Sequence, residues 1–125
     1  MNSINALKRE LKTILGANYY YEEAPKTAAY PYRVGLLASS YDDEVSEIFS
    51  LELDYWGTSA TVVDALLETD SGDGNRTAPS GLNKRRVIAG DVCAKIDREG
   101  IFDVHDPDTD LRHKRVSYTI RLYYL

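Results

Sequence analysis

A chain of 125 residues with 43% apolar side chains is long enough for one domain with a real core and too apolar to be disordered. Its 15 Lys plus Arg stand against 20 Asp plus Glu, a formal charge of −5, which handicaps any groove that must displace counterions from phosphates to hold DNA. The longest apolar runs, such as Val34-Gly35-Leu36-Leu37-Ala38, fall far short of the roughly 20 residues that span a bilayer.

Ile4, Leu7, Leu11, Ile14 and Leu15 recur at helical spacing opposite Lys8, Arg9, Glu10 and Lys12. The segment predicts an amphipathic helix rather than the unbroken apolar stretch of a signal peptide. Ser3 is placed to cap its start, and Gly16 to take the left-handed conformation that ends it. Tyrosine-rich Asn18 to Glu23 predicts a short strand, closed by Pro25 and a connecting loop over Lys26 to Ala29. Tyr30 to Ala38 predicts a second strand, with Tyr32, Val34 and Leu36 alternating against Pro31, Arg33 and Gly35. Pro31 fits only near the start of that strand or on an edge. Ser39 to Glu44 reads as a hairpin loop, and Val45 to Trp56 as the third strand. Phe49, Leu51, Leu53 and Tyr55 point one way there, Ser50, Glu52 and Asp54 the other.

A second helix starts at Thr58 or Ser59 and buries Val62, Val63, Leu66 and Leu67. Asp70 to Asn83 collects Ser, Gly, Asp, Asn and Pro and predicts a long exposed loop. Arg85 to Gly90 and Val92 to Arg98 predict two short strands, Glu99-Gly100 a turn, and Asp103 to Leu111 an acidic loop. The last strand, Arg112 to Tyr124, alternates Val116, Tyr118, Ile120, Leu122 and Tyr124 against Arg115, Ser117, Thr119 and Arg121. The whole predicts one α+β domain over residues 1–125, a mostly antiparallel sheet with two helices packed on one face.

Ten tyrosines against two phenylalanines suit half-buried strand positions, and equally suit protein interfaces, because the ring is apolar and its tip polar. With strands two, three and six adjacent, their non-core faces would carry Arg33, Glu52, Asp54, Arg115 and Arg121. Opposite charges across neighbouring strands stabilise one another; the same face can instead meet another subunit.

Residue patterns that carry chemistry are sparse. His105 and His113 sit near Asp103, Asp106, Asp108 and Asp110, but the calcium-loop pattern starting at Asp106 fails: its sixth position is Leu111 and its twelfth Ser117. A solvated acidic loop is the better reading, with no metal. Cys93, the single cysteine, lies in a strand-like run and reads as a structural thiol. No Gly-x-Ser-x-Gly occurs, and Ser71-Gly72-Asp73-Gly74 lacks the lysine of a phosphate loop. No catalytic or cofactor-binding residue is expected, and no enzymatic activity. Two basic clusters, Lys84-Arg85-Arg86 and Arg112-His113-Lys114-Arg115, keep a small nucleic-acid-binding module open as an alternative.

The order of features resembles the tail terminator, or tail-to-head joining, proteins of long-tailed bacteriophages and prophages. It rests on the N-terminal helix and Tyr20-Tyr21-Glu22-Glu23-Ala24-Pro25 leading into Tyr30-Pro31-Tyr32. It continues with Leu53-Asp54-Tyr55-Trp56-Gly57 running into a helix, the Asp106-Pro107-Asp108 loop, and the Arg- and Tyr-rich strand from Arg112 to Tyr124. The resemblance implies a hexameric ring in the virion neck, made in the host cytoplasm. Such a ring caps the tail tube protein, stops its polymerisation and docks the head connector or stopper protein. With such a ring, subunit contacts are expected on the non-core strand residues Arg33, Glu52, Asp54, Arg115 and Arg121, with plain solvated strand positions as the alternative. Another neck component, such as a head-completion or stopper protein, is the nearest alternative.

Overall fold

The computed structural model describes residues 3–42, 44–74, 81–89, 92–104 and 111–123. His105, Asp106, Pro107, Asp108 and Asp110 of the acidic loop lie outside the described residues, as do the centre of the long loop (75–80), Gly90-Asp91 and Tyr124. The elements run α1 (Ser3–Leu15), β1 (Tyr19–Tyr21), β2 (Tyr32–Asp42), β3 (Ser46–Gly57), α2 (Ala60–Ser71), β4 (Arg85–Ala89), β5 (Val92–Asp103) and β6 (Arg112–Tyr123). They build a six-stranded sheet in the order β1-β2-β3-β6-β5-β4. Every pairing is antiparallel except that of β1 with β2. Of the expected two helices packed on one face of a mostly antiparallel sheet, the coarser part holds, two helices with a mostly antiparallel, curled sheet, and a common face for the helices is not evident. α1 meets β1 and β5, whereas α2 meets β3 and β6.

Helical periodicity explains α1. Leu7, Leu11 and Leu15 are all buried, one turn apart, and Gly16 adopts φ +76° as its amide donates to the Lys12 carbonyl. Full burial of such leucines contributes roughly 1.5–3 kcal/mol each. The alternation in β3 and β6 is also as expected: Phe49, Leu51, Leu53 and Tyr55 meet Val116, Tyr118, Ile120 and Leu122 in the core. The tyrosines divide by position, with Tyr19, Tyr55 and Tyr118 in the core and Tyr30, Tyr41 and Tyr123 exposed.

Several expectations are corrected. β2 is turned over: Arg33, Gly35 and Leu37 face the core, and Leu36 is exposed. The run Val34 to Ala38 offers apolar residues to both faces, and the close fit at Gly35 selects one. A Cβ built at Gly35 would lie 2.5 Å from the Tyr19 hydroxyl, so only glycine lets the β1 tyrosine cross the strand there. β2 also runs on to Asp42, through a register shift between Ser39 and Tyr41, where a loop was expected. Glu99-Gly100 is likewise a bulge inside β5, not a turn. In α2 the buried stripe is Val63, Leu67, Asp70 and Ser71, while Val62 is exposed. Asp70 therefore ends a helix instead of opening a loop.

Arg33 and Asp70 explain each other. Both are almost fully buried, at 4% and 3% exposure. The guanidinium donates Nε to Asp70 Oδ2 at 2.6 Å and Nη2 to Oδ1 at 3.1 Å. It also donates to the Leu15 and Ala17 carbonyls at 2.8 Å, just where α1 ends. Tyr55 donates its hydroxyl to Asp70 Oδ2 at 2.7 Å. Burial and the neighbouring Asp70 carboxylate hold the Tyr55 phenol well above its ordinary value. A carboxylate at a helix C-terminus opposes the helix dipole, so Asp70 depends on the cation beside it.

The base of the long loop is a second built element. Gly74 donates to the Asn83 carbonyl at 2.7 Å, Asn83 to Gly72 at 3.0 Å, and Leu82, fully buried, to Asp70 at 2.7 Å. Side-chain atoms at Gly74 or Gly81 would collide with the facing backbone, at 2.0 and 2.1 Å.

Two measurements check this packing. Arg33→Met strands the Asp70 carboxylate and should cost about 3–5 kcal/mol in urea unfolding, and the double variant Arg33→Met/Asp70→Leu should recover much of it. Among the described residues the buried Tyr19 hydroxyl has no hydrogen-bond partner, and burial raises its pKa from 10.0 to about 12. A raised folded-state value gives stability that is complete below pH ~10 and lost as pH climbs to ~12. Tyr19→Phe should thus be neutral or stabilising at neutral pH, and should gain about 2 kcal/mol over wild type between those two pH values.

Candidate functional site

Because β2, β3 and β6 send alternate side chains to the core, the others form an open face on the outer side of the sheet. The strand register sorts this face into rows. Tyr32, Trp56 and His113 stand in one row; Val34, Asp54, Arg115 and Phe102 in the next; Leu36, Glu52 and Ser117 in a third. Towards the hairpin end, Tyr41, Ile48, Arg121, Lys95 and Arg86 form one row across five strands. The bulge after Ser39 is what brings Tyr41 onto this row.

The expected contact residues separate on this geometry. Glu52, Asp54, Arg115 and Arg121 lie on the open face as expected. Arg33 does not; it points inward to Asp70, as described above. The centre of the face is an ion cluster around Asp54 Oδ1, which accepts from Arg115 Nε at 2.9 Å and meets His113 Nε2 at 2.8 Å. Glu52 lies 3.8 Å from the same Arg115 nitrogen. The hydrogen bond to Asp54 holds the Arg115 guanidinium above its ordinary value. His113 stacks on Trp56, ring centroids 3.8 Å apart and planes within 15°. Apolar side chains flank these charges, with Leu36 at 49% and Phe102 at 52% exposure. The Phe102 ring lies over Gly100, where a Cβ would come within 3.1 Å of it.

The two basic clusters of the sequence do not form one basic groove. Within Arg112 to Arg115, Lys114 crosses to Asp64 on α2, while His113 and Arg115 meet Asp54 on the opposite face. Within Lys84 to Arg86, Lys84 lies 3.7 Å from Asp73, Arg85 donates to the Gly81 carbonyl at 2.7 Å, and only Arg86 reaches the open face. Strand alternation divides each run between two environments.

A cleft of about 370 Å³ between α2, β5 and β6 holds Asp64, Glu68, Arg98 and Lys114. Its cations are engaged, Lys114 by Asp64 and Arg98 by the Ser71 carbonyl at 3.2 Å. Cys93 lines a second cleft on the open face with Ile88 and Tyr123. Neither cleft is lined by His113 or Asp54, so this histidine–carboxylate pair faces the sheet surface and its stacked tryptophan.

No protein family matches the chain by sequence profile, and no characterised protein matches it in sequence. By structure, the chain is similar to a protein of the virion of a native gene transfer agent particle. The two share a TM-score of 0.61 and 11% identity, over 90% of this chain and 84% of that one. The likeness is therefore one of fold along nearly the whole length.

The ladder around Asp54 is partly solvated, so it should contribute little to stability. Asp54→Ala is expected to lower stability by about 0.5–1 kcal/mol, several-fold less than Arg33→Met, and its loss alone should shrink at high salt. Thermal unfolding at low and high salt measures both.

Proposed function

We propose that this chain is a structural subunit of a phage or phage-like virion, acting without catalysis as a tail terminator. In this reading copies of the chain close into a ring, a hexamer by the resemblance, that seats on the last ring of the tail tube. The seated ring ends tube growth and presents a surface to the head connector. The observation that carries the reading is the likeness of fold to a gene transfer agent virion protein over 90% of the chain. The order of sequence features, from the first helix to the Arg- and Tyr-rich last strand, points the same way.

The mechanism is steric. A subunit of this kind needs a rigid interior and an exterior rich in contact groups, and the protein divides its side chains that way. Its open face carries aromatic and aliphatic groups, Trp56, Phe102 and Leu36, among charged ones, Glu52, Asp54, Arg115 and Arg121. Aromatic residues and arginine are the types enriched in protein interfaces. A net acidic subunit lines a DNA passage without holding the DNA.

The test is a tube-growth assay. Tail tube protein polymerising alone should give long tubes of unlimited length, and adding this chain in small excess should give shorter tubes of defined end structure. A Leu36→Asp/Phe102→Ser variant should fold normally, because both side chains are exposed, yet fail to stop growth. Tubes that grow unchanged beside the wild-type chain count against a terminator. A stopper or other neck protein would instead leave tube length unchanged and bind the head connector.

A further inference from the structure

The hairpin end of the sheet carries an acidic tip at one margin and a basic row at the other, whose outermost cation, Arg86, lies beyond the reach of the tip within one chain. At one lateral margin, the tip joining β2 to β3 exposes Asp42 and Glu44, flanked by Tyr41 at 58% and Val45 at 63% exposure. Neither carboxylate has an ionic partner among the described residues. At the other margin, exposed Arg86 of β4 stands in register with Lys95 of β5, which stands in register with Arg121 of β6. Beside them Ile88 is 78% exposed, over a cleft of about 370 Å³ whose lining includes Arg86, Lys95 and Tyr123. Lys95 is 3.2 Å from Asp97 and Arg121 donates to Ser46 Oγ, whereas Arg86 has no ionic partner among the described residues.

Register places both surfaces at the same height. Ser46, next to the tip, pairs with Tyr123; Leu122 pairs with Ala94; Cys93 pairs with Ile88. From Asp42 on β2 to Arg86 on β4 the sheet crosses β3, β6 and β5, roughly 19 Å at ~4.8 Å per interval and beyond the reach of a salt bridge. Lys95 stands one strand nearer and is held by Asp97. Four successive antiparallel pairings make β2 and β4 run in the same direction. A neighbouring copy displaced sideways therefore presents its β4 margin alongside β2 in matching orientation. Room exists for it: β1 pairs only with Arg33, Val34 and Gly35, so no described strand lies beside β2 beyond that point, and β4 ends the sheet on the other side.

We propose that the acidic, tyrosine-bearing β2–β3 tip of one copy docks on the basic β4–β5 margin of the next copy, with Asp42 and Glu44 facing Arg86 and Lys95. The proposal rests on the self-assembling reading above and adds which two surfaces meet. The cleft beside Ile88 receives Tyr41 or Val45. Since the two surfaces differ, the contact is head-to-tail; it does not close as a dimer but repeats from copy to copy, as a ring requires. Arg86 and Lys95 are thereby matched by carboxylates of another copy rather than by phosphate.

Native mass spectrometry and sedimentation of the full chain over a range of concentrations test this. Asp42→Lys/Glu44→Lys and, separately, Arg86→Glu/Lys95→Glu should each weaken self-association at least tenfold. Mixing these two variants should restore mixed oligomers, and one chain carrying all four changes should associate within about threefold of wild type. Rescue of that kind excludes misfolding as the cause of the loss. A wild-type oligomer that ignores both reversals overturns this surface while leaving self-assembly standing. A wild-type chain that stays monomeric, or whose margin cations retain duplex DNA in its place, overturns the surface and the assembly reading together.

Discussion

The buried contact between Arg33 and Asp70 is the constraint around which the remaining structure is arranged. One guanidinium occupies the point where α1 ends, where α2 ends and where β2 passes between them, and it satisfies acceptors from both helix ends. Taking a charged pair out of water is costly, and only complete hydrogen bonding repays it. Here Tyr55 gives the carboxylate its remaining donor from β3. Four elements, α1, β2, β3 and α2, are thereby joined at one point. An apolar substitute of equal volume would pack, but it would not specify which ends meet.

That interior has a direct consequence for the exterior. Once β2 is held with Arg33 inward, Leu36 must face outward, because a strand alternates sides. Glu52 beside it in the same row, with Asp54 and Arg115 in the next, then forms a surface in which apolar and charged groups are mixed. The charges there are joined in partly solvated clusters, worth little to the fold and well suited to exchange for a partner's groups. In the proposed assembly the chain is rigid within and meets its neighbours at the margins of the sheet.

Much of this was legible in the amino-acid order. Strict alternation from Phe49 to Tyr55 and from Val116 to Leu122 determined two central strands and their buried sides. The helical spacing of Leu7, Leu11 and Leu15 determined α1. The error at β2 has a physical source, since Val34, Leu36 and Leu37 offer apolar groups to both faces and local periodicity cannot choose. A signal was nevertheless present in α2, where Asp70 continues the stripe begun by Val63 and Leu67. An acid in a buried stripe demands a buried cation, and Arg33 is the arginine within a strand of apolar residues. The bulges after Ser39 and Arg98 left no comparable mark, and they decide that Tyr41 and Phe102 belong to the open face. The division of Arg112 to Arg115 between faces follows from alternation alone, since the run reads as the start of the last strand.

The central claim is that the margins and open face of the sheet, rather than an interior cleft, are where this protein acts. Hydrogen exchange read by mass spectrometry, on the chain alone and on the chain mixed with tail tubes, addresses it most directly. Edge strands exchange readily until another strand or surface covers them. The expected result is new protection in β4 and in β2 beyond Gly35, with α1 and the C-terminal end of α2 unchanged. Protection centred on Asp64 and Glu68 of the α2 cleft, with both sheet margins as before, would contradict the account.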